Sequence, residues 1–278
     1  MTYAVTNSPH LVPDALDLPE LEHALAGTPF AGRVQHFAEI GSTNTHAMKA
    51  GAEGAPHGSV YVADAQTGGR GRGAHTWSSP AGSGLYVSIL LRPEFAPGDA
   101  LWLSLAAGLA AQNAVRATAG LAPDLRWPND LLVGRRKLGG VLTEMHAEVT
   151  RIRFVVIGIG INVHQQVFPP ELSASATSLA IEAPGSKTTR QALLVALLQA
   201  LDREVRALTG SDAAGGQRSL LARLEAGSTW MRGKRVLVGE EVPFGGITEG
   251  LDARGFLRVR TDAGDLRTVL SGAVRDEE

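Results

Sequence analysis

Residues Ala100–Ala119 are alanine-rich and apolar almost all the way round, and Gly120 and Pro123 stand where such a segment would end. A helix without a polar face has to be covered on every side, so it must lie against a sheet inside the molecule. Trp102 and Leu105 are then core residues. The flanking sequence supplies strands for that sheet. Val34–Ile40 and residues 59–65 read as strands, the second with Val60 and Val62 alternating with Ser59 and Tyr61. Residues 83–92 read as a buried strand stopped by Pro93, and residues 153–163 as a central strand whose Gly158 and Gly160 thin one face beside Asn162. Between them, 125–133 and 138–146 read as an antiparallel hairpin around the turn 134–137. Pro128 marks a bend or bulge that aims Asn129 and Asp130 outward, and Gly139 and Gly140 leave room for a ligand against the main chain.

The remaining elements follow from periodicity and punctuation. Residues 17–26 form a short helix with Leu18, Leu21 and Leu25 on one side, stopped by Gly27, behind a loosely docked leader over 1 to about 16. Ser42 or Thr43 caps a helix running to Gly51. Residues 168–179 are loop. Residues 189–208 form an amphipathic helix with Leu193, Leu194, Leu197, Leu198, Leu201, Val205 and Leu208 on its apolar face, and 217–226 a second. After Gly227 short strands at 230–238, 244–251, 256–260 and 266–271 alternate with Gly- and Asp-rich turns, the spacing of a small all-β barrel. The fold class expected is α/β of the α+β type. It has a mixed, largely antiparallel central sheet backed by helices on one side, plus a small C-terminal SH3-like β-barrel. The divisions are a leader with a short helix over 1–33, the main domain over 34–227 and the barrel over 228–278.

Composition excludes whole classes of function. Lys and Arg number 26 against 28 Asp and Glu, a net charge of −2, so no broad nucleic-acid-binding surface is expected and positive charge must act locally. There is no cysteine, which removes disulfides, thiolate metal sites and cysteine nucleophiles together and suits a cytoplasmic setting. The N-terminus lacks the basic and apolar regions of a signal peptide, and the most apolar run, 153–163, is too short and glycine-rich to span a bilayer. A soluble, cytoplasmic protein without a membrane partner is expected.

The local positive charge sits in Gln66-Thr-Gly-Gly-Arg-Gly-Arg72, after the strand 59–65 and five residues before Trp77. Glycines let a ligand approach the main chain, so amide N–H groups can converge on an anion. Arg70 and Arg72 add planar, permanently charged donors for a carboxylate or phosphate, and Trp77 offers a face on which a ring can pack. Taken alone, the stretch reads first as a solvated hairpin tip, and Gly41-Ser-Thr-Asn44 as plain helix capping.

Four stretches in register resemble the biotin protein ligases, biotin–[acetyl-CoA-carboxylase] ligases of the monofunctional type. They are Gly41-Ser-Thr-Asn44, the Gly-Arg stretch with Trp77, Arg126-Trp-Pro-Asn-Asp130 followed by Lys137-Leu-Gly-Gly-Val-Leu-Thr-Glu144, and Gly158-Ile-Gly-Ile-Asn162. The resemblance covers roughly residues 34–163 and implies a catalytic role for the domain 34–227. It implies a two-step reaction: biotin and ATP give biotinoyl-5′-AMP, and a lysine of a biotin carboxyl carrier protein then takes the biotin. It further implies that Ser42, Thr43 and Asn44 bind biotin's ureido group, with Gln66, Gly139 and Gly140 beside the same ligand. Arg70, Gly71 and Arg72 wrap the carboxylate and α-phosphate, and Lys137 neutralises developing charge there. Asn129, Asp130 and Asn162 face the nucleotide, whose Mg²⁺, carried by ATP, is expected near Asp130, while Trp77 covers adenine or packs the closed loop; no metal ligand set is assigned.

Some positions depart from the family pattern. Arg126 stands where the family usually has Lys, and Gly73-Ala74-His75 replaces its further basic run, so no contact is carried over from those three. The leader is too short for the DNA-binding domain of bifunctional members, so no nucleic-acid partner is expected; either a monomer or a homodimer fits. Lipoate ligases share the fold and are the nearest rivals, and a non-catalytic biotin or adenylate binder is another. A transferase working through its own cysteine thioester is excluded.

Overall fold

A computed structural model describes residues 14–73, 75–239, 242–270 and 272–277. The leader therefore lies, up to residue 13, outside the described residues, as do Ala74 and the Ser271 end of the last expected strand. The first half runs α1 (Leu18–Ala24), β1 (Val34–Ile40), α2 (Thr43–Ala52), β2 (Ser59–Gln66), β3 (Gly84–Leu91) and α3 (Ala100–Ala119). Next come β4 (Asp124–Arg126), β5 (Asp130–Val133), β6 (Arg136–Ala147), β7 (Ile152–Asn162), α4 (Leu179–Glu182), α5 (Arg190–Thr209) and α6 (Ala213–Gly227). The chain ends with β8 (Arg232–Gly239), β9 (Phe244–Leu251), β10 (Leu257–Thr261), β11 (Leu266–Val269) and β12 (Ala273–Asp276).

A seven-stranded sheet has the order β1-β2-β3-β7-β6-β5-β4, with β1 and β2 parallel and the other neighbours antiparallel. The expected small C-terminal β unit is a five-stranded antiparallel sheet ordered β11-β10-β9-β8-β12, in which β12 is a strand that periodicity did not reveal. Helix α3 has the expected bounds, and Gly120 closes it at φ 67, the left-handed conformation that glycine adopts without strain. With α5 it covers one face of the large sheet, packing against Val60, Val62, Val87, Ile89, Ile157 and Ile159. No helix among the described residues is long and apolar enough to cross a membrane.

Helices were expected on one side only, and here the fold differs. Helix α2 lies on the opposite face, its Ala47 clustered with Tyr61, Leu90, Phe154 and Val156. The strands allow this because β2, β3 and β7 are apolar on both faces, as fully buried strands must be. Each fully buried large side chain there contributes about 1.5–3 kcal/mol. Gly51 lets α2 lie close, since a Cβ at that position would come within 2.6 Å of the Phe154 ring. The carboxyl end of α2 is closed by the Arg92 guanidinium, which donates to Gly51 O and Ala55 O at 2.8 Å. That anchorage leaves the amino end of α2 pointing at the site described below.

Residues 125–133 do not make one strand. The chain turns back through Trp127–Asn129, with a cis Trp127–Pro128 bond, so β4 pairs with β5 and Arg126 sits opposite Asp130. Proline cannot donate to a ladder, and a turn uses it where a strand would not. Trp127 is buried, and its Nε1 donates to Gly255 O at 3.0 Å, tying the turn to the C-terminal sheet. Smaller differences are α4 inside the expected loop, an earlier start to α6, and Leu18 on the exposed side of α1.

Candidate functional site

The amino end of α2, the end of β2, the Gly-Arg loop and the middles of β3, β6 and β7 line a cleft on the α2 face of the sheet. Its floor is nearly free of side chains. Gly140 of β6 and Gly160 of β7 are cross-strand partners, and Gly158 lies two residues along from Gly160. A Cβ at Gly158 would sit 2.3 Å from Asn44 Oδ1, and one at Gly160 2.6 Å from the Trp77 indole. These glycines are what let Asn44 and Trp77 lie flat on the sheet.

One end of the cleft is a neutral hydrogen-bonding array. Ser42 caps α2, its side chain accepting from Thr45 N. Gln66 Oε1 accepts from Thr43 N at 2.9 Å and Thr43 Oγ1 at 3.1 Å, while Gln66 Nε2 donates to Ser79 Oγ at 2.9 Å. The fully buried Ser88 hydroxyl lies 2.8 Å from both Thr43 Oγ1 and Asn44 Oδ1. Asn44 Nδ2 donates to Glu144 at 2.7 Å, and Glu144 in turn takes both terminal nitrogens of Arg70 at 2.9 Å.

The other end is cationic. The Gly-Arg loop doubles back on itself through an Arg70–Thr76 bridge, with Gly71 N donating to His75 O at 2.8 Å and Trp77 N to Gly69 O at 2.9 Å. Arg72 Nη1 donates to Asn129 Oδ1 at 3.2 Å. Lys137 reaches the same place because β6 carries an extra residue against β5: Leu131 faces Gly139 while Leu132 faces Lys137. This bulge reverses the side-chain alternation. Leu138 goes into the core, and Lys137 joins Gly140 on the cleft face. Its ammonium lies 5.5 Å from the centre of the Trp77 ring and 2.6 Å from Asp130 Oδ1. The Trp77 indole N–H is buried without a hydrogen bond among the described residues.

Asp130 has Arg126 on its second oxygen, Oδ2, at 2.5 Å. Burial alone would raise its pKa, but Lys137 and Arg126 together outweigh burial and hold the carboxyl below the usual value. With both oxygens on cations, Asp130 does not fit the role of a protein ligand for Mg²⁺. Among the described residues no group of three His, Asp or Glu is placed to hold a metal ion.

Ser42, Thr43, Asn44, Gln66, Arg70, Gly71, Arg72, Trp77, Asn129, Lys137 and Gly140 all border the cleft. Gly139 does not; a Cβ there would meet Gly160 O at 2.8 Å, so interstrand crowding explains this glycine. Asp130 borders an adjoining depression with Arg126 and Arg275. Asn162 borders another with Phe168 and Leu172, its Nδ2 donating to Thr177 O at 2.9 Å. Two contributors were missed. Ser88 is a polar residue inside an otherwise apolar strand, which is the signal that could have revealed it; Glu144 closes a quoted motif but had no assigned partner.

A family model described as the biotin/lipoate A/B protein ligase family matches residues 37–162, which hold every element of the cleft. That match covers a little under half of the chain. The bifunctional ligase/repressor BirA of Bacillus spizizenii is 42% identical to this chain over 169 residues, 60% of the chain and 52% of the relative. The biotin–[acetyl-CoA-carboxylase] ligase of Mycobacterium tuberculosis is 38% identical over 170 residues, 59% of the chain and 61% of the relative. The chain thus spans between half and two thirds of the length of these relatives. Beyond the matched residues, the structure is similar to biotin protein ligase from Aquifex aeolicus in complex with biotin and ATP. The TM-score is 0.75 at 27% identity, covering 88% of this chain and 100% of that one.

Proposed function

We propose that this chain is an ATP-dependent biotin protein ligase. The observation that carries the reading is the polarity of the cleft: a neutral hydrogen-bonding end built from Thr43, Asn44, Gln66 and Ser88, and a cationic end at Arg72 and Lys137 with Trp77 between. Biotin has the matching shape, a cyclic urea at one end and a carboxylate at the other. Lipoate, the rival within the family, ends in a dithiolane without strong hydrogen-bonding groups. It offers that end no hydrogen-bonding groups in place of the urea, so it gains nothing from the polar array there.

In the first step a biotin carboxylate oxygen attacks the α-phosphorus of ATP, forming the acyl–phosphate bond as the bond to pyrophosphate breaks. The protein supplies no nucleophile. It aligns two anions that repel each other, and Arg72 and Lys137 offset the charge gathering on carboxylate and phosphate. Lys137, held by Asp130 until then, exchanges one anionic partner for another. Trp77 and Asn162 flank the nucleotide, and the divalent ion arrives on the ATP phosphates. In the second step a lysine ε-amine of a biotin carboxyl carrier protein attacks the acyl carbon, AMP leaves, and the amine gives up a proton. Use of ATP accords with the cytoplasmic setting expected above.

Transfer of biotin to a purified carrier domain, with ATP, Mg²⁺ and the full chain, tests this directly. Labelling that requires ATP and is lost in Lys137→Ala is expected. Labelling that survives in Lys137→Ala would remove the lysine from the mechanism, and none from the wild-type chain would contradict the ligase reading.

A further inference from the structure

Arg70 and Arg72 lie two residues apart on one loop, yet they are engaged very differently. Both terminal nitrogens of Arg70 are spent on Glu144, at 2.9 Å to each oxygen, in the planar two-bond geometry that guanidinium and carboxylate share. Arg72 donates to a neutral amide, Asn129, at 3.2 Å, and among the described residues no carboxylate is paired with it. Glu144 also accepts from Asn44 Nδ2 at 2.7 Å, which turns the amide oxygen of Asn44 to Ser88. From Ser88 the bonds continue through Thr43 to Gln66 and on to Ser79. A single carboxylate on β6 thus fastens the start of the Gly-Arg loop to the first turn of α2, across the closed end of the cleft.

On the ligase reading above, we propose that Glu144 is a positioning residue that latches Arg70, so that the two loop arginines divide the work. Arg70 holds the biotin-binding end together through Glu144, and Arg72 is the arginine that meets the anionic reactants. Opening the latch lowers the fraction of molecules with a formed biotin end, which weakens binding without touching the reacting groups. An interaction present equally in ground and transition states is read in KM and not in kcat.

The test uses the full chain. Biotin affinity is measured by calorimetry without ATP, and biotin-dependent pyrophosphate exchange gives kcat, for Glu144→Gln, Arg70→Gln, the double variant and Arg72→Gln. Each latch variant is expected to bind biotin about tenfold more weakly, with kcat at saturating biotin within about threefold of wild type. The double variant should be no weaker than the weaker single, because the pair acts as one unit. Arg72→Gln should instead lower kcat by about tenfold or more. A tenfold fall in kcat for Arg70→Gln, or losses that add in the double variant, would overturn the latch. If Glu144→Gln does not fold, the half-exposed Arg70→Gln carries the comparison with Arg72→Gln. A wild-type chain that binds no biotin would overturn the ligase reading and the latch together, whereas binding without coupling between Arg70 and Glu144 overturns the latch alone.

Discussion

Replacing Asp130 by Asn keeps the shape of the side chain and removes the charge between Lys137 and Arg126. The carboxylate holds Lys137 Nζ at 2.6 Å and Arg126 Nη2 at 2.5 Å, so the variant leaves two cations facing a neutral amide. Removing one partner of a fully buried pair costs about 3–5 kcal/mol. Lys137 and Arg126 keep 35% and 23% of their side-chain exposure, so water recovers part of that. The expected loss is about 1.5–3 kcal/mol at pH 7. The pH dependence has a definite sign. Asp130 has a folded-state pKa below its ordinary value of 3.8, so its contribution is complete above 3.8 and is lost as pH falls through the lowered folded-state value. Urea unfolding followed by tryptophan fluorescence should show Asp130→Asn less stable at pH 7, with the gap to wild type closing below pH about 4. A gap under about 0.5 kcal/mol at pH 7, or one that stays constant down to pH 3, would refute the assignment of this carboxylate as the anchor of Lys137.

Two glycines and one histidine give further tests. Gly160→Ala sets a methyl 2.6 Å from the Trp77 indole, which sits at the end of a loop and can move. Thermal stability should change by less than about 1 kcal/mol, while calorimetric biotin affinity falls by about tenfold or more. Gly158→Ala meets Asn44, which Glu144 and Ser88 pin, so here stability itself should fall by about 1–3 kcal/mol in the same melt. His57 has a lowered pKa, chiefly from burial and then from Arg33, with Asp202 opposing and Arg92 adding to the effect. The unfolded chain therefore takes up the proton first, and stability falls as pH drops from 6.5 through the lowered folded-state value. In His57→Asn, denaturant midpoints measured across that range should show a smaller decline, and an unchanged slope would contradict this role.

Strands and helices were legible wherever one pattern sufficed. Helix α3 declared itself by having no polar face, and β1 by its punctuation at both ends. Most cleft residues were legible too, because glycines, arginines and hydroxyls recur together in the motifs that carry the family resemblance. What stayed hidden depends on register or on distant partners. The bulge at Leu138 turns Lys137 to the cleft face, yet nothing in Arg136-Lys-Leu-Gly-Gly140 announces an extra residue against β5. The turn at Trp127–Asn129 looked like a bend within one strand because Leu125 and Leu131 are both apolar enough for a continuous one. Helix α2 was expected on the same side as the other helices, and its place on the opposite face is set by Tyr61, Leu90 and Phe154 on three separate strands. Glu144 closes a motif without an assigned role until Asn44, one hundred residues earlier, is brought against it.

The measurement that bears most directly on the account is exchange of labelled pyrophosphate into ATP by the full chain, with biotin or lipoate as the acid. The cleft described here predicts exchange that depends on biotin, is absent with lipoate, and is lost in Lys137→Ala. Exchange driven by lipoate would contradict the reading of the Thr43–Gln66–Ser88 end as a urea-binding site, and no exchange with either acid would contradict adenylate formation itself.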